Sequence, residues 1–285
     1  MKITRSVLFV CLLVAGLDAA AQSELKFNKR FVESEDKWVA YRMNDDSTYT
    51  FGFIYIDPDA GLTSDIAGDF KIAPDGHYFR VKSWDSTSLK VRLEANKVLV
   101  AWIPESKFED LKIQAIPEWL KFYKTDTTSV NHLYKWGYRY NGWGECEKAL
   151  TFLEKALKTD PEYKGLKTEL AFSYNCLRQY DKAISILEDL IKQNPTDSYT
   201  NKEYVYALVK SKQYEKAAGS IRKAIELCPD QTYNGEMCYN LLYEYYANKD
   251  IENFNKWVKE TKKWYSKNER MKASVEAMKE DLGKK

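Results

Sequence analysis

The chain has 285 residues, 44% hydrophobic and 14% aromatic, enough for one large or two modest domains with real cores. Its 44 Lys and Arg nearly balance 42 Asp and Glu, for a formal net charge of +2. That balance excludes a broad basic footprint for nucleic acid or anionic lipid, so no nucleic-acid partner is expected.

The first residues read as a secretory signal. Lys2 and Arg5 precede a largely apolar run from Ser6 to Gly16, and Ala19-Ala20-Ala21 offers an Ala-x-Ala cleavage site before Gln22. Residues 1–21 are therefore expected to be removed, leaving an exported bacterial protein, periplasmic or secreted. The apolar run is shorter than the roughly 20 residues that span a bilayer. No later segment is apolar enough to cross a membrane.

Residues 22–115 read as strands. Leu25–Phe31, Trp38–Tyr41 and Tyr49–Ile56 are short apolar runs, and Pro74-Asp75-Gly76 marks a tight turn between Phe70–Ile72 and His77–Val81. Leu89, Val91 and Leu93 alternate with Lys90, Arg92 and Glu94, the period of a half-buried strand. Ala95-Asn96 is short enough for a hairpin into Lys97–Ile103, which is apolar on both faces and is expected to be central. The expected architecture is an antiparallel β sandwich or small barrel. Residues 116–129 then form a linker with a short helix, in which Trp119–Tyr123 is expected to cap the helical half of the chain. Ser129 is placed to cap the next helix.

From Val130 the apolar period becomes helical, and the segment repeats. Glu147-Lys148-Ala149, Asp181-Lys182-Ala183 and Glu215-Lys216-Ala217 recur every 34 residues, as do Pro161, Pro195 and Pro229. A fixed beat of that length marks stacked helix–turn–helix units, here 130–163, 164–197 and 198–231. In unit one Leu133, Trp136, Gly137 and Tyr140 of the first helix (A) face Ala149, Leu153 and Ala156 of the second (B). Leu170, Ala171 and Tyr174 face Ala183, Leu187 and Leu190 in unit two. Tyr204, Val205 and Leu208 face Ala217, Ile221 and Ala224 in unit three. Small residues let the helices approach, and the prolines stop each B helix.

This pattern resembles the tetratricopeptide repeat family. Arg178 and Lys212 depart from it where a glycine is usual at the A–B turn, and Gly144 keeps it. A divergent fourth unit, 235–267, follows a three-residue insertion with Cys238, Leu241, Leu242 and Tyr245, then Ile251, Phe254 and Val258. Residues 268–285 read as a charged terminal helix or tail. The whole is an α+β, two-domain chain, its β half followed by an α-solenoid of helix pairs.

Little in the sequence points to chemistry. His77 and His132 are the only histidines and lie far apart, without a nucleophile, zinc or phosphate-loop motif. Asp57-Pro58-Asp59-Ala60-Gly61 resembles half a calcium loop but lacks the later glutamate, and ordinary turn chemistry explains it. No catalytic residue, metal or cofactor is assigned. Cys146, Cys176, Cys228 and Cys238 come after the expected cleavage site. Their even number permits disulfides, but their spacing fixes no pairing, and the preferred reading is that all four are small buried hydrophobes.

The family resemblance implies a ligand groove on the concave face of the A helices. Residue by residue it takes Asn131, Tyr134, Tyr138 and Asn141 from unit one, then Thr168, Phe172 and Asn175 from unit two. Unit three gives Tyr199, Lys202 and Tyr206, and the displaced fourth unit Tyr239, Tyr243 and Tyr246. Only Lys202 suits a clamp for acidic peptide ends, so that ligand class is disfavoured. Tyrosine brings contact area with a polar tip, and asparagine can bond an extended backbone. The alternative is that these rings pack internally. The leading expectation is a non-catalytic, exported interaction scaffold holding a polypeptide segment, its β domain docking a second partner or the envelope. A glycan-binding envelope protein, or an enzyme with its site in the β domain, are the alternatives.

Overall fold

The computed structural model describes residues 25–83 and 89–284. The signal-peptide reading on residues 1–21 lies outside them. The chain divides into a sheet unit, running to Ile56 and again over Leu62–Leu120, and a helical unit of Asp57–Gly61 and Lys121–Lys285.

The sheet unit contains β1 (Lys37–Ala40), β2 (Tyr49–Asp57), β3 (Gly61–Ile72), β4 (Tyr78–Ser83), β5 (Leu89–Arg92) and β6 (Ala101–Trp102). These form one antiparallel sheet in the order β4-β3-β2-β1-β6, with β5 also on β3. The sequence suggested a sandwich or closed barrel; the described strands belong to this single sheet. β2 lies inside the sheet, between β3 and β1, with Phe51, Phe53, Ile54 and Tyr55 all fully buried. Trp38 packs its ring on Phe51 and Phe53. The Pro74-Asp75-Gly76 turn also forms: Asp75 Oδ1 accepts the His77 N–H, and Ile72 pairs with Tyr78.

Two expectations for this unit fail. β5 pairs with β3 (Thr63 opposite Arg92, Ile66 opposite Leu89) and makes no hairpin with the next run. Its side chains are exposed, and only the adjoining Leu93 is buried. Asn96 Oδ1 accepts the Val98 N–H, a local turn that diverts the chain away from hairpin pairing. Consequently Lys97–Ile103 is not central. Only Ala101–Trp102 is strand, pairing with β1 at the end of the sheet, and Lys29 and Lys37 lie over the exposed Trp102 ring. Long lysine stems cover an apolar edge in this way. Trp119, in the 3-10 turn Glu118–Tyr123, packs edge-on against Phe53 and Tyr55, 5.8 and 4.9 Å between ring centres. The expected capping segment thus commits its largest side chain to the sheet. The short α1 (Phe108–Leu111) lies against β4, where Asp110 Oδ2 accepts the Tyr78 N–H.

The helical unit runs α2 (Val130–Gly142), α3 (Cys146–Thr159), α4 (Leu166–Cys176), α5 (Tyr180–Gln193), α6 (Ser198–Lys210) and α7 (Tyr214–Leu227). It continues with α8 (Asn234–Ala247), α9 (Ile251–Tyr265) and α10 (Glu269–Gly283). Ser129 caps α2 by accepting the His132 N–H. The anticipated inner faces are buried: Trp136 and Tyr140, Ala149 and Leu153, Ala183 and Leu187, Val205 and Leu208, Ala217 and Ile221. Gly137 shows why the small residues matter. A β-carbon there would lie 2.4 Å from Leu153 Cγ, so any larger residue would force α2 and α3 apart. Two expectations are corrected: Tyr174 is only half-buried, with Lys182 Nζ over its ring, and Ile251 is exposed.

The A–B turn is the same in every unit. Gly144, Arg178, Lys212 and Lys249 all have positive φ. The next N–H reaches back to Tyr140, Tyr174, Leu208 and Tyr245 respectively, at 2.8–2.9 Å. This is the left-handed helix stop that favours glycine, held here three times by other residues. Cys146, opening α3, is disulfide-bonded to Cys176, ending α4, so the preferred reading of four free thiols is wrong for this pair. Cys228 and Cys238 are free and buried, as that reading had them.

Candidate functional site

Successive A helices pack directly on one another, α2 on α4, α4 on α6 and α6 on α8. Their unpacked side is the inner wall of the solenoid. The thirteen expected groove residues fall into three groups on it.

The first group is structural. Asn141 is buried and its Nδ2 donates to both the backbone oxygen and Oε2 of Glu169, each at 3.0 Å. One unit on, Asn175 does the same to Glu203, at 3.0 and 2.9 Å. Thr168 is also buried and shares a hydrogen bond with Thr200. These side chains tie consecutive units together and are not free to hold a peptide backbone.

The second group is covered by the chain itself. The Tyr239 hydroxyl lies 2.8 Å from Ser274 Oγ, and the Tyr246 hydroxyl donates to Asp281 Oδ2 at 3.0 Å. Both partners sit on α10, which packs on α8 as a further A helix would.

The third group lines an aromatic wall. Tyr138 is 50% exposed, and its ring stands 6.4 Å from Tyr134. Tyr134 also meets Tyr163, whose hydroxyl donates to Asn131. Gly165, at φ +83°, leaves room here, since a β-carbon would come within 2.9 Å of the Tyr134 hydroxyl. Tyr199 packs on Tyr233, and Lys202 Nζ lies over both rings while pairing with Glu203 at 2.8 Å. Phe172 and Tyr206 are half-buried, the latter beneath Lys210, and Tyr243 is exposed.

Electrostatics follow from burial. Glu169, 3% exposed, has its carboxyl raised above the ordinary range by desolvation, against hydrogen bonds from Asn141 and Tyr199. Burial, then the nearby Glu169, pushes Tyr134 up to about 12, and the same causes raise Tyr199 further. At Lys202 burial works against the charge and the Glu203 carboxylate outweighs it, so its pKa is raised. Sequence reading missed Glu169, Glu203, Tyr163 and Tyr233. The signal was present: Asn141 and Asn175, and Glu169 and Glu203, keep the same 34-residue beat.

Elsewhere, His77 pairs with Asp110, and His132 stacks on Trp136 with burial holding its pKa down. Asp57 Oδ1 accepts the N–H groups of Asp59 and Ala60, the turn chemistry expected of that stretch. A cleft of about 860 Å³ opens between α5 and α7, lined by Ile191, Pro195, Tyr204 and Leu227. It takes Asn201 and Tyr204 from α6, not Tyr199, Lys202 or Tyr206, so it lies off the aromatic wall. Its Glu188 is already held by Lys216 and Tyr204. In the sheet unit a second cleft, about 640 Å³, is bordered by Trp38, Trp119, Asp65, Arg80 and Gln114.

One family model agrees with the repeat reading over part of the chain. Residues 144–202 match the family model for the tetratricopeptide repeat. Among solved structures, MamA from Desulfovibrio magneticus RS-1 is 20% identical, with a TM-score of 0.43 over 58% of this chain and 87% of that one. A thermophilic TPR protein from Thermus thermophilus is 17% identical, with a TM-score of 0.43 over 56% of this chain and 84% of its own. No curated protein matches the chain.

Proposed function

We propose that this chain is a tetratricopeptide repeat protein, and that it is an exported, non-catalytic scaffold holding a polypeptide segment against the inner wall of α2, α4 and α6. A repeat solenoid of this family serves protein–protein interaction. The observation that carries the finer reading is the aromatic wall itself: Tyr138 is half exposed while its neighbours Tyr134, Tyr163 and Tyr199 are fixed by packing. Rigid, partly exposed tyrosines are the side chains that anchor peptides at low entropic cost. Export is supported by the amino-terminal pattern and by the Cys146–Cys176 disulfide, which persists in oxidising compartments.

The test is a pull-down from the envelope fraction of the native host. Replacing both Tyr138 and Phe172 by alanine should weaken retention of partners by about 1–3 kcal/mol per anchor without lowering the thermal midpoint. Unchanged retention by a folded double variant would contradict the assignment.

A second reading rests on the sheet unit. Trp38 and Trp119 beside Asp65, Arg80 and Gln114 combine aromatic and polar groups as sugar sites do. Tryptophan fluorescence titrated with envelope oligosaccharides decides it; no spectral response across the panel removes it.

A further inference from the structure

The repeats allow one place in the groove to be compared with its own counterpart 34 residues on. Glu169 and Glu203 are equivalent, each 3% exposed and each bonded by an asparagine from the preceding unit. Around Glu203 a cation is built in. Lys202 pairs with it at 2.8 Å, with its Nζ 4.9 and 5.3 Å from the Tyr199 and Tyr233 ring centres.

Unit two lacks that cation. The position of Lys202 is held there by Thr168, whose hydroxyl is engaged with Thr200. Glu169 receives hydrogen bonds only from neutral donors, the Asn141 amide and the Tyr199 hydroxyl, and no Lys, Arg or His forms a salt bridge with it among the described residues; Lys202, held by Glu203, acts on it only through its field. Keeping a carboxylate buried without a counter-charge is costly. The rings differ in a matching way. Gly165 stands where unit three has Tyr199, and Tyr134 fills that space. Tyr134 and Tyr199 thereby stand beside a carboxylate that has no salt-bridge partner, with Tyr138 against Tyr134, and aromatic faces beside a carboxylate attract cations.

We propose that this place takes a lysine or arginine side chain of the bound polypeptide, so that the partner segment is basic and gives unit two the cation that Lys202 gives unit three. The inference rests on the concave wall being the peptide site. It also explains why one lysine in the groove is no bar to a basic ligand, since Glu203 already holds that lysine.

The test uses the full chain and nine-residue peptides with a central lysine or arginine, beside copies carrying norleucine or citrulline there. Basic-centred peptides should bind on the order of tenfold more tightly, and the difference should shrink with added salt. Thr168→Lys supplies the cation from within and should remove the preference while neutral peptides still bind. Glu169→Gln should do the same without adding bulk, so the test survives if the lysine variant fails to fold. Equal binding of basic and neutral peptides, weakened by Tyr138→Ala, would overturn the basic-partner inference and leave the groove standing. Peptide binding indifferent to Tyr138→Ala, or no peptide binding, would overturn both.

Discussion

The junction between units one and two and the junction between units two and three are built on the same frame and finished differently. Both use an asparagine amide on a buried glutamate. At the first junction the asparagine is fully used, because Ser173 Oγ donates to Asn141 Oδ1 at 2.7 Å. At the second, the equivalent of Ser173 is Ala207, and Asn175 Oδ1 has no hydrogen-bond partner among the described residues. The first junction carries a disulfide, where the second has Tyr180 and Lys210 at the equivalent positions. Yet the first leaves its carboxylate without a paired cation, and the second provides one. The first junction is thus the firmer in structure and the less complete in charge. Firm, preorganised surroundings with one unmet electrostatic demand are what a binding site needs.

The comparison can be broken most strongly at the disulfide. The Cys146–Cys176 link spans 30 residues, for which loop closure gives roughly 3–4 kcal/mol. Replacing both cysteines by serine should lower denaturant stability by that order. No change in midpoint would mean that the first junction does not depend on the link.

Next, the two asparagines should not be equal. Asn141→Ala removes the amide from a carboxylate that has no salt-bridge partner and takes one of two acceptors from the Ser173 hydroxyl, which keeps the Glu169 backbone oxygen. It should cost about 2–3 kcal/mol, and Asn175→Ala about 1–2, within the range for stranding buried polar groups. Equal losses in urea titrations would erase the distinction.

Charge gives a pH signature with a definite sign. Burial raises the Glu169 carboxyl above its ordinary value of 4.5, so the folded chain holds that proton more firmly than the unfolded one. The penalty is absent below 4.5 and grows as pH rises through the raised value. Glu169→Gln should therefore match the wild type in acid and exceed it near neutrality. A constant difference across the range would show that the carboxylate bears no such penalty.

The smallest effect concerns the missing hydroxyl. Ala207→Ser should give Asn175 the donor that Ser173 gives Asn141, adding about 1 kcal/mol. A loss of stability would mean that the space beside Asn175 cannot accept it.

The repeats were legible because their physics is local. Pro195 stops a helix, Ala183 admits a close neighbour, and the 34-residue beat multiplies each weak signal. The sheet was less so. Lys97–Ile103 is apolar on both faces, which fits a central strand and equally fits an edge whose tryptophan is covered by Lys29 and Lys37. Pairing partners are long-range choices that alternation does not encode. In the groove, the register pointed to Tyr134 and Tyr138, whose rings lie 6.4 Å apart, and to Tyr199, which packs on Tyr233. It did not foresee that Asn141 and Asn175 serve the junctions, because family position says where a side chain points but not what its neighbour offers. Tyr239 and Tyr246 were lost for a similar reason, since their partners on α10 lie outside the recognisable repeats.

The most direct measurement is site-specific photocrosslinking in the native host, with a benzophenone amino acid placed in turn at Tyr138, at Phe172 and at Gly219. Gly219 borders the cleft between α5 and α7, and a β-carbon there would meet open space. Polypeptide adducts from the first two positions and none from the third are the predicted result. Adducts from Gly219 with none from Tyr138 or Phe172 would contradict the account.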